Sequence, residues 1–450
     1  MGGAPAKATL LQLVFMIYTA ICGGAYGLEP MVSASGPGVA LLTLIALPIV
    51  WATPMALACA ELSSTHPVEG GYYRWSRQAF GDLVGYLSGF LTWIALFATN
   101  ALYVVLFVGY LERWLPDLGP ATRFLIGALL VWTCVLLNWL GIRLVGTSSV
   151  VMMGFVLVPF VFLTALGLLQ WRFNPFEPFA VPGRTLSFAF GNGLLVAFWL
   201  YSGYEKLSVL AEEVEEPRRA FPRALAIAVP LSAASYVLPT LAGLAANGDW
   251  SEWNDFHFTA AAHQMGGPWL SALIAFGGLV SNAGLLLVTM TGQSRLPMVL
   301  AHDGLFPRAF SRTSARYGTP TVSLLLGGAI LTLLALFPFA NLISLYGTVQ
   351  ALAYLLIYAA LFKLRRDRDG ASGAFRVPLG STTLAALMIP GALLLVAVVG
   401  LGLHREMWQA GEFLPGPAAL QLGVLLLGPA TYALWKRRSA NGVLPLQTTR

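Results

Sequence analysis

The sequence predicts an all-α integral membrane protein of about twelve spans, and three observations predict it. Apolar residues make up 57% of the 450 and charged residues only 10%, where a soluble chain carries about 25% charged residues. So few charges cannot clothe a surface that faces water. The apolar residues fall into runs long enough to cross a bilayer, which takes roughly 20 residues as a helix. The 26 lysines and arginines divide 21 to 5 between alternating loops, and an excess of positive charge marks the cytoplasmic side.

In order, the spans are expected near residues 10–35, 38–62, 82–111, 121–141, 145–171, 187–210, 222–246, 268–300, 320–338, 341–363, 378–402 and 417–435. The first follows a single charge, Lys7. It has polar interruptions and no cleavage signature, so it reads as a span and not a removed signal peptide. An even number puts both termini on one side. With the termini cytoplasmic, the outer basic residues are Arg113, Arg123, Arg172, Arg184 and Arg405, and all others face inward. The expected location is the cell membrane, multi-pass, with lipid as the surrounding partner.

The loops are short. The longest outer loop, about 247–267, carries Asp249, Glu252 and Asp255 and no lysine or arginine. No soluble domain is large enough for catalysis, so the chain does not read as an enzyme. Cys22, Cys59 and Cys134 lie in apolar runs and form no CxxC pair; an odd count is no disulfide framework. The five histidines lie outside the spans and lack ligand spacing. No metal, haem or other cofactor is expected. No phosphate-cradling glycine loop appears, which excludes ATP as the energy source. The net charge of +6 belongs to the inner loops, not to a nucleic-acid face.

Three places interrupt good helix. The first is Cys22-Gly23-Gly24-Ala25-Tyr26-Gly27-Leu28-Glu29-Pro30, with three glycines, a carboxylate and a proline. Glycine costs about 1 kcal/mol against alanine in a helix interior. A carboxylate within a span needs a partner or a cavity. A kinked helix is the simpler reading. The sharper one is a discontinuous helix whose free N–H and C=O groups line a site, the setting in which such groups survive in a bilayer. The second is Phe198-Trp199-Leu200-Tyr201-Ser202-Gly203-Tyr204-Glu205-Lys206. Glu205 and Lys206 are adjacent and so point apart. The third, Ser281-Asn282-Ala283-Gly284, is weaker and is read first as helix packing.

The first two interruptions fall in spans one and six, five spans apart. Gly-interrupted spans in corresponding halves point to an inverted repeat with a site near the midplane. Five is odd, so the second unit must enter upside down. The expected organisation is one transporter domain: repeat one about 8–171, repeat two about 187–363, and two extra helices about 378–435.

These stretches resemble the amino acid–polyamine–organocation transporters over nearly the whole chain, closest to the polyamine uptake branch. The resemblance is carried by Gly23-Gly24-Ala25-Tyr26-Gly27-Leu28-Glu29, by Ala60-Glu61-Leu62 with Pro67, Gly70, Gly71 and Tyr72, and by Asn100-Ala101-Leu102-Tyr103. Asn138-Trp139-Leu140-Gly141, Gly203-Tyr204-Glu205, Glu212-Glu213-Val214-Glu215-Glu216-Pro217, Asp303-Gly304-Leu305-Phe306-Pro307 and Tyr317-Gly318-Thr319-Pro320 complete it. It implies a LeuT-like five-plus-five fold with helices one and six broken, in a monomer or homodimer. It implies that Gly23, Gly24 and Ala25 meet a substrate carboxylate and that Ser202 and Gly203 meet a substrate amine. Tyr26, Glu29, Asn100 and Tyr204 join the same set. Trp199 matches the helix-six aromatic that closes over substrate in arginine–agmatine antiporters. Glu205 and Glu29 are the candidates to carry a coupling proton.

Two departures bear on the substrate. The polyamine branch tends to have proline where this chain has Ala25, and aspartate where it has Thr99. Proton-coupled relatives place a lysine in helix five, and the matching stretch Gly154-Phe155-Val156-Leu157 has none. The leading expectation is a proton-coupled secondary transporter of amino acids or related amines. Polyamine uptake and substrate exchange stand as alternatives, and a channel or ligand sensor ranks last. A substrate with an α-carboxylate is favoured over a polycation.

Overall fold

The computed structural model describes residues 9–440 apart from 69, 113, 207, 209–213, 254–255, 368–374, 410–411 and 414. Helix α1 (Leu10–Ile21) opens on a reciprocal cap. Thr9 accepts from the Gln12 N–H, and the Gln12 side chain accepts from the Thr9 N–H. Two donors that a first turn leaves over are thereby satisfied. The chain leaves helix at Cys22 and resumes in α2 (Glu29–Ser35). Next, α3 (Pro37–Leu47), a π-helical turn (Pro48–Ala52) and α4 (Thr53–Thr65) run on without a gap. Pro48 has no N–H, and the wider turn absorbs it.

A short helix, α5 (Gly71–Phe80), precedes α6 (Asp82–Leu111), α7 (Pro120–Trp139) and α8 (Ile142–Leu169). Helix α9 (Leu186–Leu200) stops at the second interruption. Then come α10 (Pro217–Ala246), a second short helix α11 (His257–Gly266), α12 (Pro268–His302), α13 (Thr321–Leu334) and α14 (Phe339–Asp367). Helices α15 (Ser381–Met407) and α16 (Pro415–Ala440) follow, with a two-residue strand pair between them.

Seven helical stretches among the described residues are long and apolar enough to cross a membrane. They are Pro37–Thr65, Asp82–Leu111, Pro120–Trp139, Pro217–Ala246, Pro268–His302, Phe339–Asp367 and Ser381–Leu403. Helices α1 and α9 are apolar but short, because the chain breaks helix at the two places where glycine and carboxylate meet. Helix α6 is enclosed between α12 and α14, while α7 turns Leu125, Leu129 and Leu136 outward. The third sequence interruption is no break. Helix α12 runs through it, and the Asn282 side chain bonds back to the Gly278 carbonyl at 2.8 Å.

One corner recurs. Helices α5 and α11 are ten residues each, and each ends on a glycine that also starts the next long helix. Gly81 has φ 85° and ψ −176°; Gly267 has φ 80° and ψ −168°. That region is open to glycine and strained for other residues.

The ends of the bundle are pinned by charge. Asp303, just past α12, meets Tyr73 at 2.9 Å, Arg74 at 3.1 Å and Arg77 at 3.0 Å, all from α5. Glu61 of α4 faces Arg365 of α14 at 3.5 Å and accepts the Val377 N–H at 2.8 Å. Of the acidic run, Glu215 and Glu216 are exposed, and Glu212 and Glu213 lie outside the described residues.

Candidate substrate site

Break one runs from residue 22 to residue 28, inside the Cys22–Pro30 stretch that the sequence marks as interrupted and longer than the Gly23–Ala25 segment that the resemblance implies. Glu29 is the first residue of the helix that follows. Its buried carboxylate accepts the Gly27 N–H at 2.7 Å through Oε2 and the Tyr110 hydroxyl at 2.6 Å through Oε1. A negative group at a helix start also complements the helix dipole. Ser281 of α12 donates to the Gly23 carbonyl, holding the break against the core.

Break two begins at Tyr201. Gly203 has φ +126°, and a Cβ there would lie 2.9 Å from the Ala20 carbonyl oxygen, so only glycine lets the two breaks approach. The Gly203 N–H donates to the Tyr354 hydroxyl at 2.9 Å, and that hydroxyl donates to Glu205 Oε2 at 2.7 Å. Gln350 donates to Glu205 Oε1 at 3.2 Å. Lys206 turns the other way, its Nζ 3.3 Å from the Ala20 carbonyl at the end of α1. Glu205 thus faces α14 while its neighbour faces α1.

Two tyrosines bind the breaks to the bundle. Tyr236 of α10 places its hydroxyl 3.1 Å from the Ile21 carbonyl and 2.9 Å from the Leu200 carbonyl. These are the last residues of α1 and α9, whose terminal carbonyls lack intrahelical donors. Tyr201 packs edge-on against Tyr236, centroids 5.1 Å apart at 89°.

Between the breaks lies a cavity of about 20 Å³, closed down to roughly the space of a water molecule. Of the expected residues, Gly23, Gly24, Tyr26 and Trp199 line it. Tyr103, Tyr236, Ser281, Asn282 and Leu285 join them. The Trp199 indole N–H donates to Thr99 at 2.8 Å, and its ring lies against Tyr103 and edge-on to Phe339. Thr99 therefore anchors the indole where an aspartate was the family expectation. The face of α8 against Gly24 is apolar, formed by Val156 and Phe160.

Ala25, Glu29, Asn100, Ser202, Gly203, Tyr204 and Glu205 do not line the cavity. Ala25 is fully buried, and Ser202 bonds back to the Phe198 carbonyl. Tyr204 packs near Trp51. The Asn100 amide is held between Gln293 and Thr289 of α12. Tyr236 carried no sequence signal beyond being a polar group in an apolar run. Ser281 and Asn282 did, as the small polar patch in span eight. Among the described residues, no group of three His, Cys, Asp or Glu side chains is placed to hold a metal.

Comparison with known proteins identifies the family. A family model described as amino acid permease matches residues 9–410. A probable polyamine transporter of Arabidopsis thaliana is 36% identical, covering 90% of this chain and 84% of its own. A second from the same plant is 32% identical over 88% of this chain and 79% of its own. A polyamine transporter of Oryza sativa subsp. japonica is 31% identical over 99% of this chain and 83% of its own. A match of this extent settles the relationship: the chain is a multi-pass membrane transporter that belongs to the amino acid permease family of the amino acid–polyamine–organocation superfamily.

Proposed function

We propose that the chain is a proton-coupled secondary transporter of amino acids or related amines, working by alternating access in the cell membrane. One observation carries this reading: two broken helices meet at a single cavity, with a buried carboxylate on each break. Backbone at Gly23 and Gly24, freed from helix by the first break, lines the cavity and is the part of the site to meet a carboxylate. The carbonyl ends of α1 and α9 favour a cation. Trp199, Tyr103 and Tyr26 supply aromatic faces for an ammonium group. Glu205, bonded to Tyr354 across the second break, is the group to carry the proton.

The organisation we propose is twelve spans. Helices α1 with α2, α3 with α4, then α6, α7 and α8 make the first unit. Helix α9 with the chain beyond it, α10, α12, α13 and α14 make the second, inverted one. The recurring corner supports it, since α5 and α11 occupy the same place in each unit and end on matching glycines. Helices α15 and α16 stand outside the repeat, and both termini are cytoplasmic by the distribution of basic residues.

Polyamine uptake is the second reading. The relatives named as polyamine transporters favour it, as do the two buried carboxylates. The test is uptake by purified protein in liposomes, with and without an imposed proton gradient, across a panel of amino acids and amines. Gradient-driven uptake of any member supports the reading. Uptake no greater than in protein-free liposomes for the whole panel sinks it.

A further inference from the structure

Most polar side chains on the cavity wall are already spent on the protein itself. Tyr26 donates to the Ile274 carbonyl, Trp199 to Thr99 and Ser281 to the Gly23 carbonyl, while Tyr236 sits on the carbonyls that end α1 and α9. Two are not spent. The Tyr103 hydroxyl of α6 has no hydrogen-bond partner among the described residues. The Asn282 side chain of α12 makes one bond, from its NH2 group to the Gly278 carbonyl. We infer that Asn282 and Tyr103 are the specificity-determining residues of this site, selecting amino acids of zero net charge whose side chain carries a hydroxyl or an amide. The inference deepens the amino acid reading and rests on it.

The charge of the substrate follows from the walls. Among the described residues that line the cavity, none carries a charged side chain. The Glu29 carboxylate turns to the Gly27 N–H and Tyr110, and the Glu205 carboxylate turns to Gln350 and Tyr354; neither reaches the cavity wall. Burying a net charge against such walls is costly. A zwitterion brings its own balance. Its carboxylate meets the freed backbone of break one, and its ammonium meets the aromatic faces. A further ammonium or carboxylate on the substrate finds no counter-charge on the wall.

The side chain is read by what is left over. A carbonyl only accepts, so Gly278 takes the NH2 end of Asn282 and leaves the amide oxygen and one N–H to the cavity. Ser281, its neighbour, is fixed to Gly23, which holds the amide beside the first break. Asn282 is 1% exposed and Tyr103 4%, so bulk water does not serve either group. A buried polar end left unpaired is costly, and a site that presents one discriminates steeply against a ligand that cannot bond to it. The sequence marks Ser281-Asn282 as a small polar patch that packs helices. Packing accounts for the glycines at 278 and 284 but not for an amide oxygen that bonds to nothing in the protein.

The experiment is uptake of labelled threonine by the full chain in liposomes, with unlabelled threonine, valine, lysine and putrescine as competitors. Valine has the shape of threonine with a methyl in place of the hydroxyl. Wild type, Asn282→Leu, Asn282→Asp and Tyr103→Phe are compared. In wild type, threonine should compete about tenfold better than valine, and lysine and putrescine worse than either. Asn282→Leu should bring threonine and valine together, and Tyr103→Phe should narrow the gap. Asn282→Asp puts a carboxylate on the wall and should turn preference toward lysine. Equal competition by threonine and valine in wild type overturns the inference, as does lysine or putrescine outcompeting threonine. A loss in Asn282→Leu that is the same for both amino acids also overturns it, since the amide then serves the shared head group. If Asn282→Leu does not fold, Asn282→Asp and Tyr103→Phe decide in the same terms. Absence of uptake for every labelled amino acid and amine sinks the reading beneath the inference. Uptake that favours valine or lysine sinks the inference alone.

Discussion

The Tyr201 hydroxyl donates to the Leu44 carbonyl across 2.8 Å. The bond has a cause in the sequence. Pro48 stands four residues beyond Leu44 and has no N–H to return to it. A residue of the second break thus completes the hydrogen bonding of the helix that passes it. Replacing Tyr201 by Phe removes that donor from a buried carbonyl, a loss of about 1–3 kcal/mol. The melting temperature in detergent should fall by several degrees. Adding Pro48→Ala should recover part of the loss by restoring the backbone donor. A Tyr201→Phe protein that melts with wild type would mean the carbonyl finds another donor.

Trp199 closes one wall of the cavity with its ring fixed by Thr99. An indole over an ammonium group contributes about 0.5–2 kcal/mol. Trp199→Leu should raise the concentration for half-maximal uptake several-fold while leaving expression normal. Thr99→Val keeps the ring and loses its anchor, so a smaller rise is expected. Equal affinity in all three proteins would assign Trp199 to packing alone.

Glu205 distinguishes driven transport from exchange. Glu205→Gln keeps size and a hydrogen-bonding end but carries no titratable proton. Gradient-driven uptake should collapse toward the level without a gradient, while counterflow exchange persists. Tyr354→Phe, which removes the hydroxyl between Gly203 and Glu205, should weaken both. Driven uptake undiminished in Glu205→Gln would move the coupling group elsewhere, with Glu29 next in line.

His257 predicts an acid limit to stability. It opens α11, outside the long spans, and stacks on Trp253 with centroids 5.1 Å apart. Burial pushes its imidazole below the ordinary 6.5, against a smaller upward pull from Glu252 and Asp249. The unfolded chain then takes the proton more readily than the folded one. Stability from this group is full above the ordinary value and declines as pH falls below it. Between about pH 7 and about pH 5 the melting temperature of wild type should drop more than that of His257→Phe. Parallel curves for the two proteins would rule the group out.

The long helices were legible because a bilayer demands one property, a sustained apolar run, and sequence displays that directly. The breaks were legible at Gly23 and Gly203 because glycine and a nearby carboxylate are both poor material for a span. The partners of Glu29 were not, since the Gly27 N–H and Tyr110 meet its carboxylate only once the break is folded. Helices α5 and α11 escaped notice because ten residues between spans carry no hydropathy signal. Tyr236 could not be foreseen. Its partners lie at Ile21 and Leu200, and only the packing of α10 against both breaks brings them within reach. Asn100 was legible as a residue of the family motif, and its bonds to Gln293 and Thr289 depend on how α6 meets α12.

Cys22 caps the end of α1 where the first break begins, and like Cys59 and Cys134 it is wholly enclosed. A thiol in that position is a ready-made chemical clock. With the other two changed to serine, the rate at which a bulky maleimide captures the remaining sulfur reports how often the first half-helix swings clear. Opening could then be timed on a nearly native chain, with substrate or a proton gradient added as the variable and no foreign cysteine placed in the moving parts.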